Sequence, residues 1–321
     1  MRTSVPAIPA APSLRAAVTA TAAALTLRPV HSAIPMNPPG IWFARTLVAT
    51  LMAVGGPPLP GTTVTKVRDG AVRGDWVRAP GVAFGSRAVY YIHGSGYVLC
   101  SARTHRSLAA RLSKQTGLPV FVIDYRLAPE HPFPAAADDV EAGYRWLRSR
   151  YAAADLVLAG DSAGGHLIVD LLLENDRHRR PQPAAVALFS PLLDLTFGLA
   201  ATRERSHPDP LISARAAREL PRQYTAGLPD DAPRLRLRIP KGTALPPILV
   251  QAGGAEMLAA DARELHAMVR AAGGEARLEL WPGQVHVFQA LPALVPEADQ
   301  ALARAAEFLC AAQISTVEKV S

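Results

Sequence analysis

The sequence predicts an α/β fold: a mostly parallel central sheet with helices on both faces, plus two segments that stand outside the strand–helix alternation. Three observations predict it. From about residue 88 onward, short apolar runs alternate with helix-length stretches, the pattern of parallel strands joined by crossover helices. One run, Asp155–Ala159, passes through Gly160, Asp161, Ser162, Ala163 and Gly164 into the apolar helix-length run Gly165–Glu174. Another, Ala88–Ile92, runs straight into the small-residue loop His93–Tyr97. A chain of 321 residues that is 49% hydrophobic is long enough to bury one large core without further domains.

The elements follow in order. Residues 1–60 read as an N-terminal extension of Ala-rich helix and Pro-rich connectors. Within it, Ile41–Met52 has helical spacing of apolar residues, closed by the Gly55–Pro60 breaker. Thr62–Val77 contains two short strands. Core strands are expected at Ala88–Ile92, Val120–Ile123, Leu156–Ala159, Ala184–Phe189, Ile248–Ala252 and Arg277–Trp281. Helices are expected near 104–115, 137–149, 163–175, 257–271 and 297–311. The core is thus 61–194 and 244–321, split by an insertion at 195–243 that is rich in Arg, Pro and Ala, with a helix near Ser213–Tyr224.

Gly160–Gly164 fits the G-x-S-x-G nucleophile elbow, and the strand before and helix after supply its required context. The glycines two before and two after Ser162 answer a close approach of backbone, where a side chain would clash. The helix start behind Ser162 offers the free N–H of Ala163 and a positive dipole end to a developing oxyanion. The loop His93, Gly94, Ser95, Gly96 lies where a second set of oxyanion N–H groups would come from. His93 is expected to anchor that loop by hydrogen bonding, and Asp161 to brace the elbow.

Together these residues resemble the hormone-sensitive-lipase-like group of α/β-hydrolases, a family of many bacterial carboxylesterases. Three stretches carry the resemblance: His93–Tyr97, similar to a His-Gly-Gly-Gly motif; Asp124–Pro134, similar to a Tyr-Arg-Leu-Ala-Pro-Glu block; and Gly160–Gly165 at the elbow. It covers roughly residues 60–310 and implies a helical cap formed by residues 1–60 and 195–243. Apolar Trp42, Phe43, Leu47 and Leu51 then either line the acyl pocket or, for most of them, pack the cap onto the core. The resemblance also implies that the N–H groups of Ser95 and Gly96 complete the oxyanion hole with Ala163. One departure matters. Ser95 stands where the motif has glycine, and a left-handed backbone there costs a serine about a kcal/mol or more, so the hole is expected to be reshaped.

A serine hydroxyl needs a histidine base, and that histidine needs a carboxylate to hold its tautomer. Such folds order them Ser, acid, His along the chain. Of the nine histidines, His286 follows a strand and a Pro-Gly turn, on a loop at the carboxyl edge of the sheet. His31, His93, His105 and His131 precede the serine, and His166, His178, His207 and His266 fall on helices or polar surface. The acid must follow the strand Pro247–Ala252: Glu256 is the first choice and Asp261 the second. In the Tyr125–Glu130 block, Arg126 and Glu130 are expected to ion-pair across a turn, and Asp194 to satisfy loop N–H groups.

The reading that results is a serine carboxylesterase acting on a small-molecule ester of short to medium acyl chain. Its rivals are a lipase, amidase or acyltransferase with the same three residues, and a non-catalytic ligand receptor on the same fold. No cofactor is expected: no Walker or dinucleotide loop is present, and no His, Cys, Asp or Glu cluster has metal-ligand spacing. Cys100 and Cys310 sit in no redox or metal spacing and imply no disulfide framework. The net charge of +7 collects in Arg177–Arg180 and Arg234–Arg238. These runs read as solvated surface in preference to a contact with anionic membrane lipid. Aromatics are not interleaved with them, so no nucleic-acid partner is expected. Arg2 and Arg15 ahead of a weakly apolar, Thr-interrupted run resemble a signal peptide, but a cap helix suits that run at least as well, and the reading leans to a cytoplasmic protein.

Overall fold

The computed structural model describes residues 6–318, so Arg2 lies outside the described residues. Eight strands form one sheet: β1 (Thr63–Asp69), β2 (Val72–Arg78), β3 (Ala88–Ile92), β4 (Val120–Ile123), β5 (Leu156–Asp161), β6 (Ala185–Phe189), β7 (Ile248–Gly253) and β8 (Ala276–Trp281). Their order is β1-β2-β4-β3-β5-β6-β7-β8. β2 runs antiparallel to both neighbours, and every pairing from β4 to β8 is parallel. This is the mostly parallel α/β sheet that the alternation predicts.

Strands β3 to β7 are buried along their whole length, which is why they read as unbroken apolar runs and not as alternating ones. One face turns Tyr90, Ile92, Phe121, Leu158, Leu188 and Val250 towards α4 (Ala135–Arg148) and α5 (Ala163–Arg177). The other turns Val89, Val122, Val157, Ala187 and Leu249 towards α3 (Ala102–Thr116) and α10 (Glu297–Glu318). α3 opens with a Ser101/Thr104 capping box and closes on Gly117 at φ 69°, a left-handed cap that suits glycine.

The segments outside the alternation are helical. α1 (Leu14–Ala33) and α2 (Pro38–Gly55) precede the sheet; α6 (Gly198–Glu204), α7 (Ala214–Ala217) and α8 (Glu219–Thr225) lie between β6 and β7. α1 packs on α7, α6 on α9 (Ala259–Ala271), and α2 on α3. α1 is tied at both ends. Ser13 caps it and donates its N–H to Glu297 at 2.7 Å, and Arg28 pairs with Glu204 at 2.8 Å. The Ala-rich run therefore continues as a packed helix past Pro29.

Several expectations need correction. Trp42 and Phe43 are 68% and 47% exposed, because α2 turns Ile41 and Ala44 inward and these two outward. They do not pack the helix onto the core. Arg234 is not solvated surface: it pairs with the buried Asp170 at 2.9 Å and with Asp138 at 3.3 Å. Arg180 likewise pairs with Glu141, whereas Arg177, Arg179, Arg236 and Arg238 are exposed as expected of solvated surface, Arg177 with a surface pairing to Glu174. Arg126 bonds Asp139 on α4, and Glu130 bonds Arg45 on α2, so the two do not pair with each other. Each has found a carboxylate or guanidinium on a helix packed against the block, which a reading along the chain does not see.

Candidate active site

Ser162 sits between β5 and α5 at φ 49°, ψ −120°, a conformation that costs a non-glycine residue about 1–3 kcal/mol and persists only when its surroundings over-determine it. Those surroundings are backbone. Ser162 donates its N–H to Phe189 O at 3.0 Å, and its own carbonyl accepts from Gly165 N at 2.9 Å and Leu192 N at 3.0 Å. A side chain at Gly160 would stand 2.6 Å from Ile92 O, and one at Gly164 would overlap Ile92 O and stand 2.8 Å from His93 O. The glycines are there so that the elbow can lie against the end of β3.

That contact also sets the neighbouring loop. A Cβ on Gly94 would be 2.7 Å from Asp161 O and 2.8 Å from Ser162 Cβ. Ser95, Gly96 and Tyr97 follow at φ 96°, 62° and 67°. Ser95 takes its strained conformation with its hydroxyl bonded to the carbonyls of Gly94 and Leu99. Among the described residues, the N–H groups of Ser95, Gly96 and Ala163 have no hydrogen-bond partner. Gly96 is backed by Leu220 of α8, and Tyr97 stacks on Tyr224 with ring centroids 4.1 Å apart. The inserted helices thus press directly on this loop.

His93 lies behind the loop. Its Nδ1 meets Gly94 O at 3.0 Å, its ring stacks on Tyr125 at 4.2 Å, and its carbonyl accepts from the Tyr125 hydroxyl at 2.8 Å. Burial, with the nearby charge of His105, lowers it to about 4, so it is neutral in the working range. Asp161 accepts from the Tyr91 hydroxyl at 2.8 Å and lies 3.3 Å from His105 Nε2. Burial works to raise its carboxyl, but His105 and Tyr91 outweigh it and hold it below the ordinary value.

Across the sheet end, His286 Nδ1 bonds Glu256 Oε2. Glu256 is fully buried on the turn between β7 and α9, and its other oxygen accepts from Ser190 Oγ at 2.7 Å and Gly253 N at 2.6 Å. The same Ser190 hydroxyl accepts from Val287 N at 3.0 Å, so it joins the acid to the residue after the histidine. With Nδ1–H given to the carboxylate, Nε2 is left as the acceptor. Burial works to lower His286, but Glu256 first, then Asp209 and Asp161, outweigh it and raise it above its ordinary value.

Asp261 lies elsewhere. It is in the first turn of α9 and accepts from Leu193 N at 3.0 Å and Asp194 N at 2.9 Å, with burial pushing it up to about 7. Asp194 in turn accepts from Thr196 N and Leu199 N. Among the described residues no hydrogen bond joins Ser162 Oγ to His286. The two are instead linked through β6: Phe189 accepts from Ser162 N, and the next residue, Ser190, accepts from Val287 N. Such bonds are often long before substrate binds.

Ser190, Arg203 and Asp209 touch this constellation and carry no sequence signal. Ser190 precedes a proline at a strand end, where many serines sit; Arg203 and Asp209 lie in the Arg- and Pro-rich insertion with nothing periodic around them. Among the described residues no group of three or more His, Cys, Asp or Glu is placed to hold a metal, and no helix is long and apolar enough to cross a membrane.

A serine held at positive φ between a parallel strand and its crossover helix, with a histidine–carboxylate pair on later loops, is the arrangement of an α/β hydrolase. Residues 89–290 match the family model described as the alpha/beta hydrolase fold, and the chain belongs to that family, in its hormone-sensitive-lipase-like branch. It is 39% identical to esterase LipU of Mycobacterium tuberculosis over 249 residues, 73% of this chain and 82% of that protein. With the carboxylesterase/phospholipase LipF of the same organism it shares 37% over 266 residues, 78% of this chain and 70% of that one. A solved esterase from the bacterial hormone-sensitive lipase family superposes with TM-score 0.83 at 32% identity, covering 94% of this chain and 99% of that chain.

Proposed function

We propose that the protein is a serine carboxylesterase in which Ser162 attacks the ester carbonyl, His286 takes the hydroxyl proton and returns it to the leaving alcohol, and Glu256 orients His286 and stabilises its cation. The N–H groups of Ser95, Gly96 and Ala163 receive the oxyanion, each worth about 2.7–4 kcal/mol in the transition state. The observation that carries the reading is the buried Glu256 carboxylate bonded to His286 Nδ1 at the sheet end that also bears the strained serine. Relatives named esterase and carboxylesterase support the ester as substrate class. A solved esterase relative, EstE5, was soaked with p-nitrophenyl butyrate, which supports a short acyl chain. Residues 14–55 and 198–225 act as the cap, and the contact of α8 with the oxyanion loop supports that role.

The test is labelling with a fluorophosphonate followed by peptide mapping. The label is expected on Ser162 and on no other serine, with p-nitrophenyl butyrate turnover lost in step. Label elsewhere, or turnover that survives Ser162→Ala, removes the assignment.

A further inference from the structure

The loop that carries Glu256 is gripped from the inserted segment by two residues of opposite charge. Arg203, near the end of α6, donates from Nε to Glu256 O at 2.9 Å and from Nη2 to Gly254 O at 2.6 Å. Asp209, 1% exposed, accepts Met257 N on Oδ2 at 2.8 Å, while its Oδ1 accepts Leu211 N at 2.8 Å. One residue thus saturates carbonyls of the loop and the other an N–H, so the loop cannot slide without breaking bonds of both kinds. Beside Arg203, Glu204 accepts from Arg28 of α1 and from Ala214 N at the start of α7. The grip therefore sits where α1, α6 and α7 meet.

We propose that Arg203 and Asp209 are positioning residues for the acid–base pair: they hold the Gly254–Met257 loop where Glu256 meets His286 and set one positive and one negative charge beside that loop, so that seating of the inserted helices sets the base. The proposal rests on the assignment of Glu256 and His286 above. The charged groups facing His286 are Glu256 from the β7–α9 turn, Asp209 from the insertion and Asp161 from the end of β5. Arg203 is the cation beside Glu256 and Asp209, with Arg263 of α9 near it. Burial raises the Asp209 carboxyl, and the N–H groups of Met257 and Leu211 oppose that rise. The turn is thus bonded both by Ser190 at the end of β6 and by Arg203 and Asp209 of the insertion.

The experiment follows kcat/KM for p-nitrophenyl butyrate against pH in the full-length chain, with the thermal midpoint of each variant measured alongside. Deprotonation of His286 defines the acid limb. Asp209→Asn removes a negative neighbour, and the limb is expected to move to lower pH by on the order of half a unit. Arg203→Met removes a positive neighbour, and the limb is expected to move the other way. Arg203→Lys keeps the charge but cannot bond both carbonyls. It should leave the limb in place while kcat on the plateau falls about tenfold to a hundredfold, the usual effect of a small displacement of reacting groups. If Asp209→Asn does not fold, the two Arg203 variants carry the test.

Limbs that stay put in Asp209→Asn and Arg203→Met, or that move in the same direction, overturn the proposal, as does a loss of kcat that only tracks a lowered melting point. The underlying assignment has its own control. If His286→Ala retains turnover, the site reading fails. If His286→Ala abolishes turnover and the limbs do not move, the positioning role alone fails.

Discussion

Ser162 is fixed by backbone lying against backbone, whereas Glu256 and His286 are held by side chains that arrive from distant parts of the chain. On the first side, Gly94, Gly160 and Gly164 let the elbow, the loop and the end of β3 touch, and the strain at Ser162 is absorbed by main-chain bonds to Phe189 and Leu192. On the second, the Glu256 loop is bonded by Ser190, Arg203 and Asp209, which lie 66, 53 and 48 residues from the groups they bond. A nucleophile needs a rigid mount. A proton-transferring pair is tuned instead by the charges and hydrogen bonds of its neighbours.

The comparison is exposed most by exchanging the acid. Glu256→Gln is expected to lower kcat about 10⁴-fold, since an amide favours the wrong imidazole tautomer, with little change in fold. Asp261→Asn should keep most turnover and show its effect in melting, because that carboxylate serves the N–H groups of Leu193 and Asp194. The reverse ranking, read by steady-state kinetics, would transfer the acid role to Asp261.

On the nucleophile side the expected effect is on folding. Gly164→Ala drives a methyl into Ile92 O and His93 O and should destabilise the protein by about 3 kcal/mol or more, seen as a lost or lowered urea transition. Gly85→Ala, where an added Cβ meets nothing within 4 Å, is the matched control and should leave the transition in place. Equal behaviour of the two would show that the elbow tolerates what the geometry forbids.

Ser190→Ala tests the link between acid and base. It removes the donor to Glu256 Oε1 and the acceptor of Val287 N together. A fall in kcat of about tenfold to a hundredfold is expected, with KM nearly unchanged, because the acid–base geometry loosens and the ester site does not. A rise in KM at constant kcat would place Ser190 in substrate binding instead.

The last test reads stability and not turnover, through a pH dependence beneath the elbow helix. His166 gives Nε2–H to Leu235 O at 3.0 Å, and its Nδ1 is buried without a partner, so burial lowers it to about 4. A depressed histidine contributes stability that is whole above its ordinary value near 6.5 and is lost as pH falls towards about 4, here about 3 kcal/mol. Asp261, pushed up to about 7 by burial, works in the opposite sense over the same range. The wild-type curve alone therefore hides the term. The difference between wild type and His166→Asn, measured by urea unfolding at several pH values, should fall steadily from neutral to acid. A flat difference would mean that His166 titrates normally.

The elements and the elbow that carries Ser162 were legible along the chain because their causes are local. Apolar runs at strand length, the helix after the elbow, and glycines spaced two residues either side of Ser162 all record contacts between neighbours in the chain or between adjacent strands. The N-terminal Ala-rich run and the insertion were recognised as standing apart from the sheet, but α6 was not anticipated, and the outward face of Trp42 and Phe43 was not readable from helical spacing alone. Spacing says that a helix has an apolar face; it does not say which of two apolar stripes meets the core. Tertiary structure decided that, and it decided the partners of Arg126, Glu130 and Arg234, the bond from His286 to Glu256 and not to Asp261, and the grip of Arg203 and Asp209 on the acid loop. The reason is physical. Backbone sterics and burial leave a periodic or small-residue trace in a sequence, whereas a hydrogen bond between side chains far apart in the chain leaves none until folding brings them within reach.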